Sequence, residues 1–128
     1  MNLLFDLDGT LIDSKKGIFN AYKLSIKNQI KPVTENKFKN HIGPPFSKFL
    51  KDLHPNIDND IASSIIIKFR RLYDHTYYKE FEIFSGVDEL LLRVSNGFRC
   101  FIVTNKPTKP SIEIIKKLKL DNSFEEII

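Results

Sequence analysis

The sequence predicts a parallel α/β fold that carries a largely helical insert, and three observations support that prediction. A short apolar run, Asn2 to Phe5, stops at Asp6 and passes into the acid-dense stretch Asp6-Leu-Asp-Gly-Thr-Leu-Ile-Asp13. A second apolar run, Cys100 to Val103, is closed by Thr104-Asn-Lys-Pro107. Between them, from Lys15 to about Glu82, apolar residues recur at helical spacing. Short apolar runs bounded by turn formers read as buried parallel strands, and strands that alternate with helices build a parallel sheet.

Each element follows from its local pattern. Asn2 to Phe5 reads as a buried strand that ends in a tight loop. Ile18, Tyr22 and Ile26 fall at four-residue steps and predict the first helix. Thr34 is placed to cap a short helix, and Phe46, Phe49, Leu50 and Leu53 share one face of the next. Asp58 starts a long helix with Ile61, Ile65, Phe69, Leu72 and Tyr73 in period; its length decides against reading Ile65-Ile66-Ile67 as a strand. Val87 to Ser95 is a helix with Leu90, Leu91 and Val94 apolar, and Gly97 is placed to stop it. Cys100 to Val103 reads as a fully buried strand. Pro110 opens a last helix with Ile112, Ile115 and Leu118 on one face, and Phe124 to Ile128 reads as the start of a further strand. No internal repeat or low-complexity tract interrupts this order.

Composition excludes several classes. With 128 residues, 41% hydrophobic and 28% charged, the chain has the make-up of an ordinary globular protein. Its single cysteine, Cys100, excludes an intramolecular disulfide and a Cys-x-x-Cys site. The N-terminus lacks the basic flank and long apolar core of a signal peptide, and no run is long enough to span a bilayer, so a cytoplasmic protein with no membrane partner is expected. Lys and Arg number 20 against 16 Asp and Glu, a net charge of +4, but like charges never form blocks. That pattern argues against a nucleic-acid partner.

Two sets of residues can do chemistry. Asp6 and Asp8 stand two apart at a strand end, so in extended geometry both carboxylates point the same way. One can act as nucleophile and the other exchange protons, and such carboxylates are natural ligands for Mg²⁺. Gly9 lets the backbone turn tightly and leaves amides that can bind phosphate oxygens. Read by itself, the loop is equally a simple Asp-Gly turn with Asp13 as a helix cap. Thr104 and Asn105 follow the second strand, and a parallel sheet brings the carboxyl ends of both strands to one crevice, where a hydroxyl and an amide can hold a phosphoryl group.

Together these residues resemble the haloacid dehalogenase superfamily of phosphohydrolases. Leu4-Phe-Asp-Leu-Asp-Gly-Thr-Leu-Ile-Asp-Ser14 is similar to its first motif and Phe101-Ile-Val-Thr-Asn-Lys-Pro107 to its second. Phe84-Ser-Gly-Val-Asp-Glu-Leu90 resembles the return from cap to core, and Ile42-Gly-Pro-Pro-Phe46 the cap loop of the phosphoglycolate phosphatase branch. The resemblance implies an α/β fold with a partial Rossmann-like parallel sheet core, residues 1 to 14 and 84 to 128, and an inserted helical cap, residues 15 to 83. It also implies a Mg²⁺-dependent phosphatase acting on a small phosphorylated metabolite. Asp6 would be the nucleophile that forms an aspartyl-phosphate, and Asp8 the group that protonates the leaving oxygen and then activates water. Mg²⁺ would contact the Asp6 carboxylate and the Asp8 backbone carbonyl. Thr104, Asn105 and amides near Gly9 would hold the phosphoryl oxygens. Asp8 argues against a haloalkanoate dehalogenase, because that branch lacks an acid two residues after the nucleophile.

The family's third motif, a charge-balancing lysine, and its fourth, an acidic pair, lie beyond the strand that corresponds to Phe124 to Ile128. The expectation is therefore a truncated member with weakened catalysis, since loss of one such electrostatic partner costs about 3 to 4 kcal/mol. Lys106 does not align with the missing lysine, and Lys109, Lys116 and Lys117 are expected to be solvated. A sugar-phosphate mutase of the same superfamily and a non-catalytic remnant are the rival readings. The insert carries 13 basic and 7 acidic residues and the remainder 7 and 9, so a positive face on the insert is expected to attract an anionic substrate. A first strand left at a sheet edge is expected to drive self-association. His41, His54 and His75 lack ligand spacing, Tyr73, Tyr77, Tyr78 and Phe81 read as helix packing, and Arg70 and Arg71 as a solvated face.

Overall fold

A computed structural model describes residues 1–128. In chain order the elements are β1 (Asn2–Phe5), β2 (Ile12–Asp13), α1 (Lys15–Ile26), α2 (Glu35–Lys39), α3 (Phe46–Leu53), α4 (Asn59–His75), β3 (Glu82–Ile83), α5 (Val87–Val94), β4 (Arg99–Ile102), α6 (Thr108–Lys117) and β5 (Glu126–Ile127). They divide into two units, Met1–Ser14 with Phe81–Ile128, and Lys15–Glu80. No helix is long and apolar enough to cross a membrane.

The first unit is α/β. Its parallel sheet has the order β1-β4-β5, with Phe5 opposite Ile102 and Ile102 opposite Ile127. A second, antiparallel pair joins β2 to β3, so Glu82 and Ile83 belong with the strands and not with the helical insert that the sequence pattern suggested. Leu7, Leu11, Ile12, Leu91, Cys100, Ile102, Ile114 and Ile115 are buried. Burial raises the Cys100 thiol above its usual range, and the Glu125 carboxylate adds to the effect.

Three sequence expectations change here. β1 is not buried: Asn2 and Leu4 are exposed, on the face of the sheet where Arg99 of β4 is exposed and Phe101 half-buried. β4 buries Cys100 and Ile102, but Val103 beyond it is exposed. The last helix begins at Thr108, after Pro107, and buries Pro110, Ser111, Ile114 and Ile115 while Ile112 is exposed.

The second unit is helical around an aromatic core. Thr34 Oγ1 accepts the Lys37 amide at 3.3 Å and caps α2. Asp58 Oδ1 accepts the amides of Asp60 and Ile61 at 2.8 and 3.3 Å and caps α4. Phe46, Phe49, Leu50 and Leu53 of α3 are all buried, and the Phe46 ring stacks on Phe69 of α4. Along α4 the buried face is Ala62, Ile65, Phe69 and Tyr73, whereas Ile61 and Ile67 are exposed. The helix ends at His75; Tyr77–Lys79 form a separate 3₁₀ turn. Gly17 of α1 lies against that turn so closely that a Cβ would collide with the carbonyl oxygens of Tyr77 and Glu80.

Tyr22, fully buried on α1, organises this core. Its ring stacks on Phe38, and its hydroxyl oxygen accepts the Val33 amide at 3.0 Å. The hydroxyl lies 2.9 Å from His54 Nε2 at the end of α3. The hydroxyl can give its proton to Nε2 only while the imidazole is neutral, and it can then join Val33 N and His54 at one oxygen. Burial, and after it the charge of Lys37, holds His54 below its ordinary value of 6.5, and burial raises the Tyr22 phenol above its own. Below pH 6.5 the unfolded chain therefore takes up a proton that the folded chain refuses, and stability falls as pH falls.

Thermal melting between pH 7.5 and 5 should show that loss beginning near pH 6.5, and His54→Gln should flatten it. An unchanged slope in the variant would assign the pH dependence elsewhere.

The sheet edge generates a second prediction. The bonds Arg99 N to Met1 O and Val103 N to Phe5 O turn the odd residues of β1 toward β4. In an extended strand the amides and carbonyls of Asn2 and Leu4 then face the open edge, and the Leu4 side chain is 66% exposed. Light scattering should show the mass of the 128-residue chain rising with concentration. Leu4→Lys, which sets a charge beside that edge, should reverse the rise.

Candidate functional site

The parallel register places two loops at the same end of neighbouring strands. Phe5 and Ile102 are paired, so β1 delivers Asp6 and β4 delivers Val103 and Thr104 at the carboxyl end of the sheet. Val103 N donates to Phe5 O at 2.8 Å, and Thr104 N donates to Ile128 O at 3.0 Å. The exit from β4 is thus tied on both sides.

The loop after β1 is wound around one carbonyl. Leu7 is fully buried, and its oxygen accepts the amides of Thr10, Leu11 and Ile12 at 3.3, 3.0 and 3.1 Å. Closing the chain this tightly puts Gly9 at φ +79, the left-handed region that only glycine enters at little cost. The buried side chains of Leu7, Leu11 and Ile12 anchor the loop from within, and they leave Asp6, Gly9 and Thr10 at the surface. Asp6 Oδ1 accepts the Leu7 amide at 2.7 Å. Gly9 N donates to Ile12 O at 2.8 Å, so this amide is engaged in holding the turn.

The loop after β4 uses its own hydroxyl. Thr104 Oγ1 accepts the Lys106 amide at 3.1 Å, which leaves the hydroxyl proton available for another acceptor. Asn105 is exposed at the tip. The two loops meet through Lys106, whose Nζ lies 3.3 Å from Asp8 Oδ2. Its side chain is 3% exposed and that of Asp8 33%. Asp8 Oδ1 is enclosed and has no hydrogen-bond partner.

Lys106 is the residue that sequence reasoning passed over. The signal available was its place two residues after Thr104, in a turn whose backbone the threonine hydroxyl closes. Lys109, Lys116 and Lys117 are exposed, and Lys117 lies over the Phe81 ring at 5.3 Å. No group of three or more His, Cys, Asp or Glu side chains is gathered as a metal centre. Asp6 and Asp8 supply oxygen donors only, which suits a hard cation; Mg²⁺ in particular keeps several waters and takes one or two carboxylates. The unpartnered Asp8 Oδ1 adds an acceptor that nothing in the protein satisfies.

A parallel sheet with an acidic loop and a hydroxyl-amide turn at the carboxyl ends of adjacent strands defines an α/β protein, a class in which ligands bind outside that end of the strands. Comparison with known proteins makes the class specific: the chain belongs to the family described as haloacid dehalogenase-like hydrolase, whose profile matches residues 3–128. Among curated relatives, it is 30% identical over 98% of its length to the tyrosine-protein kinase PtkA of Mycobacterium tuberculosis, covering 43% of that protein. It is 29% identical to a 5'-nucleotidase of Pseudomonas aeruginosa, with 98% and 58% covered. It is 30% identical to a phosphoglycolate phosphatase of Colwellia psychrerythraea, with 98% and 60% covered. Among solved structures, a haloacid dehalogenase-like hydrolase of Streptococcus pneumoniae superposes with a TM-score of 0.89 at 27% identity, covering 98% of this chain and 59% of that one. The chain thus spans 43 to 60% of the length of these curated relatives.

The glycine requirement of the acidic loop can be measured. A Cβ at Gly9 meets nothing within 4 Å, so the penalty for Gly9→Ala is conformational and should be about 1 to 2 kcal/mol by urea denaturation. Gly9→Asn, which enters the left-handed region more readily, should lose less.

Proposed function

We propose that the chain is a Mg²⁺-dependent phosphatase that hydrolyses a small phosphate monoester through an aspartyl-phosphate on Asp6, in the manner of a phosphoglycolate phosphatase. The observation that supports this reading is the pairing of β1 with β4. It sets Asp6 and Asp8 at the end of one strand and Thr104 and Asn105 at the end of its parallel neighbour, with Lys106 bridging the two loops.

In this reading the helical unit, Lys15–Glu80, is the cap, three residues shorter than the sequence pattern suggested, and the α/β unit is the catalytic core. The Asp6 carboxylate attacks phosphorus in line, and the bond to the leaving oxygen breaks as Asp8 hands that oxygen a proton. Asp8, now ionised, takes a proton from water; the water oxygen attacks the phosphorus of the aspartyl-phosphate, and inorganic phosphate leaves with Asp6 restored. Thr104 donates its hydroxyl proton to a phosphoryl oxygen, and the Asn105 amide supports another. The Asp6 carboxylate and the Asp8 carbonyl would hold Mg²⁺. The cation, when bound, neutralises charge that builds on the phosphoryl oxygens. With Gly9 N committed to Ile12 O, the glycine's contribution is to shape the turn, and the phosphoryl group draws on the side-chain donors of the second loop.

Release of inorganic phosphate from an aryl phosphate in the presence of Mg²⁺ is the decisive assay. Asp6→Asn should abolish release together with the acid-stable radiolabel that a phosphoaspartate leaves on the chain. Asp8→Asn should slow release by about 10² to 10⁴, the usual contribution of a positioned proton donor. Chelation of Mg²⁺ should stop it. Isomerisation of a sugar phosphate without phosphate release would convert the assignment to a mutase.

A further inference from the structure

We propose that Lys106 is a positioning residue for the reaction: its ammonium holds the Asp8 carboxylate in place and ties the loop after β4 to the loop after β1. The proposal rests on the assignment of Asp8 as the proton-exchanging group, and it concerns a residue that the two strand-end motifs leave without a role.

Burial sets the argument. Lysine is almost never fully buried unless it is paired, because an ammonium removed from water needs compensation. The Lys106 side chain is 3% exposed and its Nζ stands 3.3 Å from Asp8 Oδ2. The other carboxylate oxygen, Oδ1, is enclosed without a hydrogen bond. The ion pair therefore restrains a carboxylate whose second oxygen makes no hydrogen bond.

The backbone that presents Lys106 is itself held. Thr104 N is bound to Ile128 O at 3.0 Å, and Lys106 N to Thr104 Oγ1 at 3.1 Å, with Pro107 next in the chain. Ordering a long side chain costs entropy, and a pre-formed turn lowers the share of that cost that falls on the contact. The location also relieves repulsion. Asp6 and Asp8 put two carboxylates within three residues, so a fixed cation beside Asp8 offsets their mutual repulsion. Exposed lysines on α6 lack this enclosure. The ionised Asp8 that takes a proton from water must stay within hydrogen-bond reach of that water, and a carboxylate free to rotate loses that alignment.

The test reads the ammonium directly. In a ¹H–¹⁵N spectrum of lysine side chains in the full chain, Lys106→Met identifies the Lys106 signal. A clamped ammonium exchanges slowly with water and gives a cross-peak that shifts or vanishes in Asp8→Ala. An absent cross-peak, or one that Asp8→Ala leaves in place, overturns the proposal. Turnover of an aryl phosphate gives the second reading. Lys106→Met should lower kcat by about 10- to 100-fold, part of the gain a positioned acid supplies, with KM changed less than about twofold. In the Asp8→Ala background the same change should lower kcat no further, because its effect passes through Asp8. A full additional loss there would mean that Lys106 acts on the phosphate itself, against the proposal. Lys106→Arg, which keeps the charge, should recover part of the kcat lost in Lys106→Met, and equal melting temperatures across the set separate the effect from unfolding. If the parent chain releases no phosphate, the functional assignment fails, while the ammonium spectrum still decides whether the clamp exists.

Discussion

The parallel pairing of β1 with β4 is the constraint on which the rest of the first unit depends. Two strands four residues long, in a register that sets Phe5 against Ile102, bring together chain segments nearly a hundred residues apart in sequence. Parallel geometry makes both strands end on the same side, so the loops that follow are neighbours by necessity. A register slip of one residue would turn Asp6 and Asp8 to the other face and carry Lys106 away from Asp8. Buried Cys100 and Ile102 oppose such a slip, because it would expose them.

Around that pairing the sequence places groups that hold loops by their own backbone. Leu7 O gathers three amides, Thr104 Oγ1 gathers a fourth from Lys106, and Thr104 N reaches β5 through Ile128 O. Rigid loops of this kind carry functional side chains without the entropy cost of ordering them when a ligand arrives. On the far side of the sheet Arg99 forms a two-pronged pair with Glu125 at 2.9 and 2.7 Å. The contact holds the Glu125 carboxyl below its ordinary range. Its exposure to water makes it a local tie between β4 and the approach to β5, not a determinant of stability.

The helical unit solves a different problem. With no sheet to build on, it packs Phe19, Tyr22, Phe38, Phe46, Phe49, Phe69 and Tyr73 against one another in tilted, stacked and edge-to-face pairs. Such rings bury a large apolar area per side chain, which suits a small unit whose helices are short. Tyr22 adds direction: its hydroxyl satisfies Val33 N and His54 Nε2, so the chain between α1 and α2 and the end of α3 are held at one point. The same hydroxyl makes the core sensitive to the charge on His54.

Much of this was legible in the residues themselves, because local rules govern it. The extent of β1, the capping by Thr34 and Asp58, the buried face of α3 and the return of a parallel strand at Cys100 follow from apolar spacing and turn chemistry. So do Asp6, Asp8, Thr104 and Asn105 at strand ends. What the sequence pattern could not convey depends on neighbours. A short apolar run does not tell which face of the sheet is covered, and Leu4 is exposed on the face it shares with Phe101 and Arg99. The helical period that includes Ile61 does not reveal which side of α4 meets α1 and α3. The tight turn at Gly9 was legible, but not that loop closure gives the Gly9 amide itself to Ile12 O. Lys106 differs from its solvated counterparts only in what lies beside it; its carboxylate partner comes from the opposite end of the chain, and tertiary folding alone brings them within reach.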